Sequence, residues 1–321
     1  MIKPVALPRP RRAEAAALQS LESDAAPEAT LGTLLERREA LALQLGLLDA
    51  EIQQFTIRSI CGDVDDTQDV ELYDGTLGVS RAFVDRHEPP VGQLRWVDDL
   101  LNRFSGPGED PGDVAGERWG SGALIARDVF LTAGHCFDQS GGGWQRPSRN
   151  ERIIPPAEIA TLMRVYFNFQ VDGQTVRNGR TGDVRPGVPF PVTELLEYRL
   201  SGVDYALVRL GRDEAGHLPG DRFGVLPLAQ ADLTTPGAML CVIQHPNGRP
   251  KRIEAGPLAH NNAGEIAYDS IDTQGASSGS PVLSEAGEIV GVHRKGGCTA
   301  FGGLNIGQAI GRIRQASRLI D

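Results

Sequence analysis

The 321-residue sequence predicts a mostly β protein: paired antiparallel β-barrels with a C-terminal helix, preceded by an α-helical segment. Three observations predict it. From Ser121 onward, short apolar runs are bounded by Gly, Pro, Asp or Asn. The 39 glycines and 21 prolines sit mostly beyond residue 105, as many short strands joined by turns require. Residues 27–57 instead repeat leucine at a helical period.

Taken in order, residues 13–22 fit a short helix interrupted before Pro27. Leu34, Leu41, Leu45, Leu48, Ile52 and Phe55 follow at spacings of seven, four, three, four and three, a heptad seam with a polar gap at Arg38. Thr33 and Glu36 fit a capping box at its start. Residues 1–60 therefore read as helical. They form either a coiled coil that self-associates or binds a protein partner, or a helix packed on its own domain. About three heptads are marginal alone. Residues 61–90 are acidic and rich in turn formers and end in Pro89-Pro90, which reads as a connector or pro-segment. Residues 91–321 read as the main domain. Val91–Trp96 is its first strand, 97–104 a short helix and 105–116 a loop. Further strands are expected at Leu124-Ile125, Val129–Leu131, Met163–Phe169, Tyr205–Leu210, Met239–Gln244, Ser280–Leu283 and Ile289–His293. Residues 305–320 are expected as an amphipathic helix with Ile306, Ile310, Ile313 and Leu319 toward the core.

The net charge is -10, and residues 1–90 supply -7 of it from nine basic and 16 acidic side chains. No basic stripe is present to neutralise phosphates, so no nucleic acid is expected as a partner. No run approaches about 20 apolar residues, so no membrane span is expected. The first residues lack the apolar core of a signal peptide. Cys61, Cys136, Cys241 and Cys298 show no C-x-x-C spacing, and the sequence reads as cytoplasmic with reduced thiols.

The chemistry concentrates in two places. In G-S-G-A-L-I-A-R-D-V-F-L-T-A-G-H-C-F an apolar strand ends at His135, where a ring can reach into a cleft. In G-A-S-S-G-S-P-V, Ser278 sits in a turn of small residues. A serine hydroxyl needs a base within hydrogen-bond reach, and the base needs an orienting partner. His135 is the candidate base and Ser278 the candidate nucleophile. The backbone N–H groups of Ala276 and Ser278 are candidate donors to an oxyanion. Nine aspartates lie between His135 and Ser278, and Asp204, opening the strand of S-G-V-D-Y-A-L-V-R-L, is best placed to be fixed and partly dry. A strand-opening Asp also serves elsewhere as a turn cap. His245 reads as a turn histidine. His87, His217 and His260 have no metal-ligand spacing, so neither metal nor cofactor is implied.

T-A-G-H-C, D-Y-A-L-V-R-L and S-S-G-S-P-V together, in the order His, Asp, Ser, resemble the three signatures of trypsin-like (chymotrypsin-fold) serine proteases. The resemblance covers residues 120–321. It implies two six-stranded barrels with a His135/Asp204/Ser278 triad in the cleft between them, acting on protein or peptide substrates. Within that fold the sequence is most similar to the bacterial glutamyl endopeptidase branch. That likeness implies that Thr273 and His293, five residues before and fifteen after the serine, contact an acidic side chain of the substrate, with Arg294 or Lys295 adding positive potential. Asp272 lies where the tryptic branch recognises Arg or Lys, so a basic preference stays open beside the acidic one. Three departures stand out. Ala276 replaces a glycine, which leaves a strained oxyanion hole, or a protease-like peptide-binding module without turnover, as an alternative. Ser277 replaces the aspartate of tryptic zymogens. Cys136 lacks its usual partner and reads as a free, packed thiol. If acids are what the enzyme cuts after, the acids between Asp63 and Asp74 are expected sites of self-cleavage.

Overall fold

Met163, Val165 and Phe167 are buried, while Arg164 and Tyr166 between them are only partly so. This period of two is how the first barrel is built. The computed structural model describes residues 58–139, 143–177 and 181–320. The helices expected at 13–22 and 27–57 lie outside the described residues.

Six antiparallel strands close the first barrel. In spatial order they are Val188–Arg199, Tyr205–Leu210, Val129–Thr132, Arg118–Leu124, Val91–Trp96 and Met163–Phe167. Leu94, Trp96, Phe130, Phe137, Phe167 and Phe190 fill its interior. Each such side chain contributes about 1.5–3 kcal/mol when fully buried. The long strand Val188–Arg199 escapes sequence reading for a physical reason. Pro189 and Pro191 interrupt its apolar run, and register shifts at Val192/Glu194 and Leu195/Glu197 break the alternation.

The second half is an open sheet of eight strands rather than the six-stranded barrel expected. Its order is His260–Asn262, Glu265–Tyr268, Asn305–Ala309, Ile289–Lys295, Pro281–Ser284, Met239–Gln244, Arg252–Pro257 and Gln68–Asp69. Leu240, Val242, Ile243, Val282, Leu283 and Val292 form its core. The C-terminal helix is shorter than expected. Asn305–Ala309 is a strand, pairing with Glu265–Tyr268 on one side and Ile289–Lys295 on the other, and the helix runs only over Ile310–Ala316. Ile310 and Ile313 are buried as expected, but Leu319 lies beyond the helix and is exposed. Pairing on both edges overrides helical periodicity here.

Residues 58–90 also depart from the connector reading, because they pack as part of the second half. Arg58–Ser59 pairs with Thr273–Gln274, and Gln68–Asp69 pairs with Arg252-Ile253. Val70, Tyr73, Val79 and Val84 enter the second core, and the Tyr73 hydroxyl donates to Val79 O at 2.7 Å. Glu88 meets the fully buried Lys251 at 2.6 Å. Cys61 is bonded to Cys298, against the expectation of four reduced thiols, while Cys136 and Cys241 are free and buried. Tyr73→Ala is expected to cost about 3–5 kcal/mol of stability by urea unfolding, as for other large core truncations. A loss below about 1 kcal/mol would show that this strap is not part of the core.

Candidate functional site

His135 lies in the single turn Gly134–Phe137, directly after the strand Val129–Thr132. Gly134 allows the chain to pass close to its neighbours: a Cβ there would sit 2.1 Å from Arg199 O and 3.1 Å from Asp204 Oδ1. At this range the backbone N–H of His135 donates to Asp204 Oδ1 at 3.0 Å, and His135 Nδ1 lies 2.7 Å from Asp204 Oδ2. Asp204 is 8% exposed. Burial pushes its pKa up, but the His135 ring and the N–H groups of His135 and Gly134 outweigh this and hold it below the ordinary carboxylate value. The clasp therefore joins an ionised carboxylate to the Nδ1 edge of the imidazole and fixes the orientation of the ring.

Ser278 is half-buried on the loop between Thr273–Gln274 and Pro281–Ser284. The loop is held by its carbonyls. Gly275 O accepts from Asn247 N at 2.6 Å, Ala276 O from Ser121 Oγ at 2.8 Å, and Ser278 O from Ser121 N at 2.8 Å. Among the described residues the N–H groups of Ala276 and Ser278 have no acceptor. Ala276 takes the left-handed conformation that glycine fills more easily, with φ at 65°, at a cost of about 1–2 kcal/mol. Ser278 meets the His135 region through backbone packing. A Cβ on the next residue, Gly279, would lie 2.1 Å from Thr132 Oγ1 and 2.8 Å from Ala133 N. The Ser278 hydroxyl and the His135 ring are not hydrogen-bonded to each other in this structure.

Beside Ser278 opens a pocket of about 300 Å³. Thr273, Gln274 and Gly275 line it on one side, and His293 through Gly296 on the other. Thr273 is buried, and its Oγ1 has no partner among the described residues. His293 Nδ1 lies 2.6 Å from the Tyr268 hydroxyl. Burial, then the neighbouring His135, push the His293 pKa down to about 3, so the ring is neutral. Lys295 is exposed at the rim, whereas Arg294 pairs with Glu265. Asp272 does not line the pocket. It is 1% exposed and turned the other way, where Oδ1 accepts from the Cys61 backbone N–H at 2.6 Å. Burial first, then the nearby Asp66 and Asp65, raise its pKa to about 6.

Sequence reading missed Ser59, which forms part of the pocket wall. Its Oγ accepts the N–H groups of Gly297 and Cys298 at 2.7 Å each, and its carbonyl accepts from Asn305 Nδ2 at 3.0 Å. Cys136 is buried as expected, and burial pushes its thiol up to about 12.

The family model of the trypsin-like peptidase domain matches residues 120–292. The uncharacterized protein y4fB of Sinorhizobium fredii is 28% identical over 188 residues, which is 56% of this chain. The chain spans only 25% of that protein's length. Among solved structures, Glu endopeptidase in complex with MPD matches with a TM-score of 0.47 at 17% identity, over 80% of this chain and 99% of that one. The serine endoprotease from Yersinia pestis matches with a TM-score of 0.44 at 15% identity, over 73% of this chain and 63% of that one. Because the family match extends over more than half of the sequence, the chain belongs to the trypsin-like peptidase domain family.

Proposed function

We propose that this protein is a serine endopeptidase that hydrolyses peptide bonds of protein substrates, preferring an acidic residue before the cleaved bond. The 2.7 Å clasp of His135 by Asp204 carries the first part of the reading. With Nδ1–H held by the carboxylate, Nε2 takes the Ser278 proton as Oγ attacks the scissile carbonyl. The free N–H groups of Ala276 and Ser278 receive the developing oxyanion. His135 then gives its proton to the leaving amine, and water releases the acyl group by the same steps in reverse.

The acidic preference rests on the pocket beside Ser278. The Thr273 hydroxyl is a buried donor without a partner. The Tyr268 hydroxyl donates to His293 Nδ1, so the neutral ring presents Nε2–H as a second donor. Two such donors satisfy a carboxylate, and Lys295 adds positive potential at the rim. Asp272, turned away, neither repels an acid nor recruits a base. Profiling a peptide library is expected to yield cleavage after Glu or Asp by the wild type and none by Ser278→Ala, which also loses fluorophosphonate labelling. Thr273→Val is expected to lower kcat/KM for acidic peptides about 10- to 100-fold, the worth of one hydrogen bond to a charged group. Cleavage after basic or apolar residues, or an unchanged profile in Thr273→Val, would refute the preference. Absence of labelling in the wild type would refute the activity.

A further inference from the structure

We propose that the Cys61–Cys298 bond is a redox control on the specificity pocket: reducing it loosens one pocket wall and weakens substrate binding without touching the Ser278 chemistry. This regulation rests on the peptidase reading above and concerns the same site. The two walls of the pocket are held differently. Thr273-Gln274 on one side is a strand paired with Arg58-Ser59. On the other side His293 and Lys295 pair with Gly307 and Ile306, and the strand Ile289–Lys295 ends there. Gly296 lines the pocket beyond that end, and the exposed Gly297 follows. Neither has a side chain to anchor it. Exposed backbone with few buried apolar groups is the mark of a segment that opens locally at low cost.

The strap holds this wall in place. Ser59 is 2% exposed, and its Oγ takes the N–H groups of Gly297 and Cys298 and donates to Asn305 Oδ1. The buried Asn305 shares the Gly297 N–H at 2.9 Å and donates to Ser59 O at 3.0 Å and to Ile271 O at 2.8 Å. These bonds last only while 297–298 stay beside Ser59. The disulfide, two residues after Ser59 and one after Gly297, enforces that covalently. It is also within reach of a dissolved reductant. Cys61 is partly exposed, and Gly62, Asp63, Val64 and 299–303 are exposed. Cys136 and Cys241 are free and buried, so this is the bond that a reductant meets among the described residues. A small dithiol supplies the chemistry. One of its thiolates attacks Cys61 Sγ, and Cys298 leaves as a thiolate and takes a proton. The second thiol then displaces Cys61, which also leaves and is protonated. Two electrons and two protons pass to the protein, and the dithiol ends as its own disulfide. The Ser278 loop hangs on Ser121 and Asn247, and His135 on Asp204, so the reacting groups keep their supports.

The test compares the full chain before and after treatment with dihydrolipoate, with alkylation and intact mass counting the thiols. KM for an acidic peptide is expected to rise about tenfold on reduction, the effect of having to order roughly one backbone residue on binding. The turnover number and the rate of fluorophosphonate labelling are expected to change by less than about twofold, as for a loss of uniform binding. Reoxidation should restore KM. The double variant Cys61→Ala, Cys298→Ala should behave as the reduced protein and no longer respond to dihydrolipoate. Hydrogen exchange, read in Ser278→Ala so that it needs no turnover, should accelerate at 296–299 and 59–62 and stay unchanged in Val129–Thr132. An unchanged KM, or unchanged exchange at 296–299, in fully reduced protein would overturn the proposal. So would loss of labelling together with a collapse of Tm, which would make the bond a general staple of the fold. Absence of labelling in both redox states would instead refute the peptidase reading, and the exchange at 296–299 would then decide alone whether the bond holds the wall.

Discussion

Asp204→Asn is expected to lower kcat by about 10⁴-fold while leaving KM for a good peptide nearly unchanged. The Asp204 carboxylate makes two contacts that an amide cannot both reproduce: one oxygen takes the His135 N–H and the other faces Nδ1. An Asn in the same rotamer would turn its NH2 either toward the His135 backbone N–H, losing that bond, or toward Nδ1, forcing the ring into the other tautomer. In that tautomer Nε2 carries the proton and no longer acts as a base. The pocket beside Ser278 is lined by other residues and is untouched. The same carboxylate gives stability a defined pH dependence. Its folded pKa lies below the ordinary 3.8, so its contribution is complete above that value and is lost as pH falls through the lower, folded one. Asp204→Asn should therefore unfold less steeply in acid than the wild type. A variant with lost affinity and normal kcat, measured on protein of native Tm, would mean that Asp204 is merely structural.

Gly279→Ala is expected to cost about 3 kcal/mol or more and to abolish most turnover. Two effects add at this position. With φ at 90°, any side chain pays for a left-handed backbone, about 1–2 kcal/mol. A Cβ would also lie 2.1 Å from Thr132 Oγ1 and 2.2 Å from Ser121 O, and such overpacking typically costs a further 1–3 kcal/mol, as an order-of-magnitude guide. Relief requires moving the Ser278 loop away from the strand that ends at His135. Gly202 is the matched control. It also has positive φ, at 76°, but a Cβ there meets nothing within 4 Å, so Gly202→Ala should show only the backbone cost. Equal losses in urea unfolding for the two variants would show that the loop is not pressed against the strand.

The site was legible in sequence where its residues are fixed by what precedes them. T-A-G-H-C ends a strand, D-Y-A-L-V-R-L begins one, and the small residues of G-A-S-S-G allow a backbone to approach Ser121. What stayed hidden is held by partners far along the chain. Ser59 reaches Gly297 and Cys298 across nearly 240 residues, and nothing in R-S-I-C announces it. The acids of 61–74 read as part of a connector or pro-segment, yet Asp65 takes the side chain of Gln274 and Asp66 faces Glu254. Asp272 drew attention as a specificity residue because of its distance from Ser278 along the chain. Spacing fixes the turn but not the direction of the side chain, which follows the strap on its other side.

The bond between Cys61 and Cys298 bears on any proteolytic maturation of this chain. A cut between Asp63 and Asp74 would fall inside the covalent ring that the two sulfurs close. The leading fragment would stay fastened to the body through residue 61, and the two pieces would migrate together until a thiol reagent parted them. Shedding of that fragment would thus require two chemistries in one place, hydrolysis and reduction. Gels run with and without dithiothreitol distinguish a nicked, still-joined molecule from an intact one.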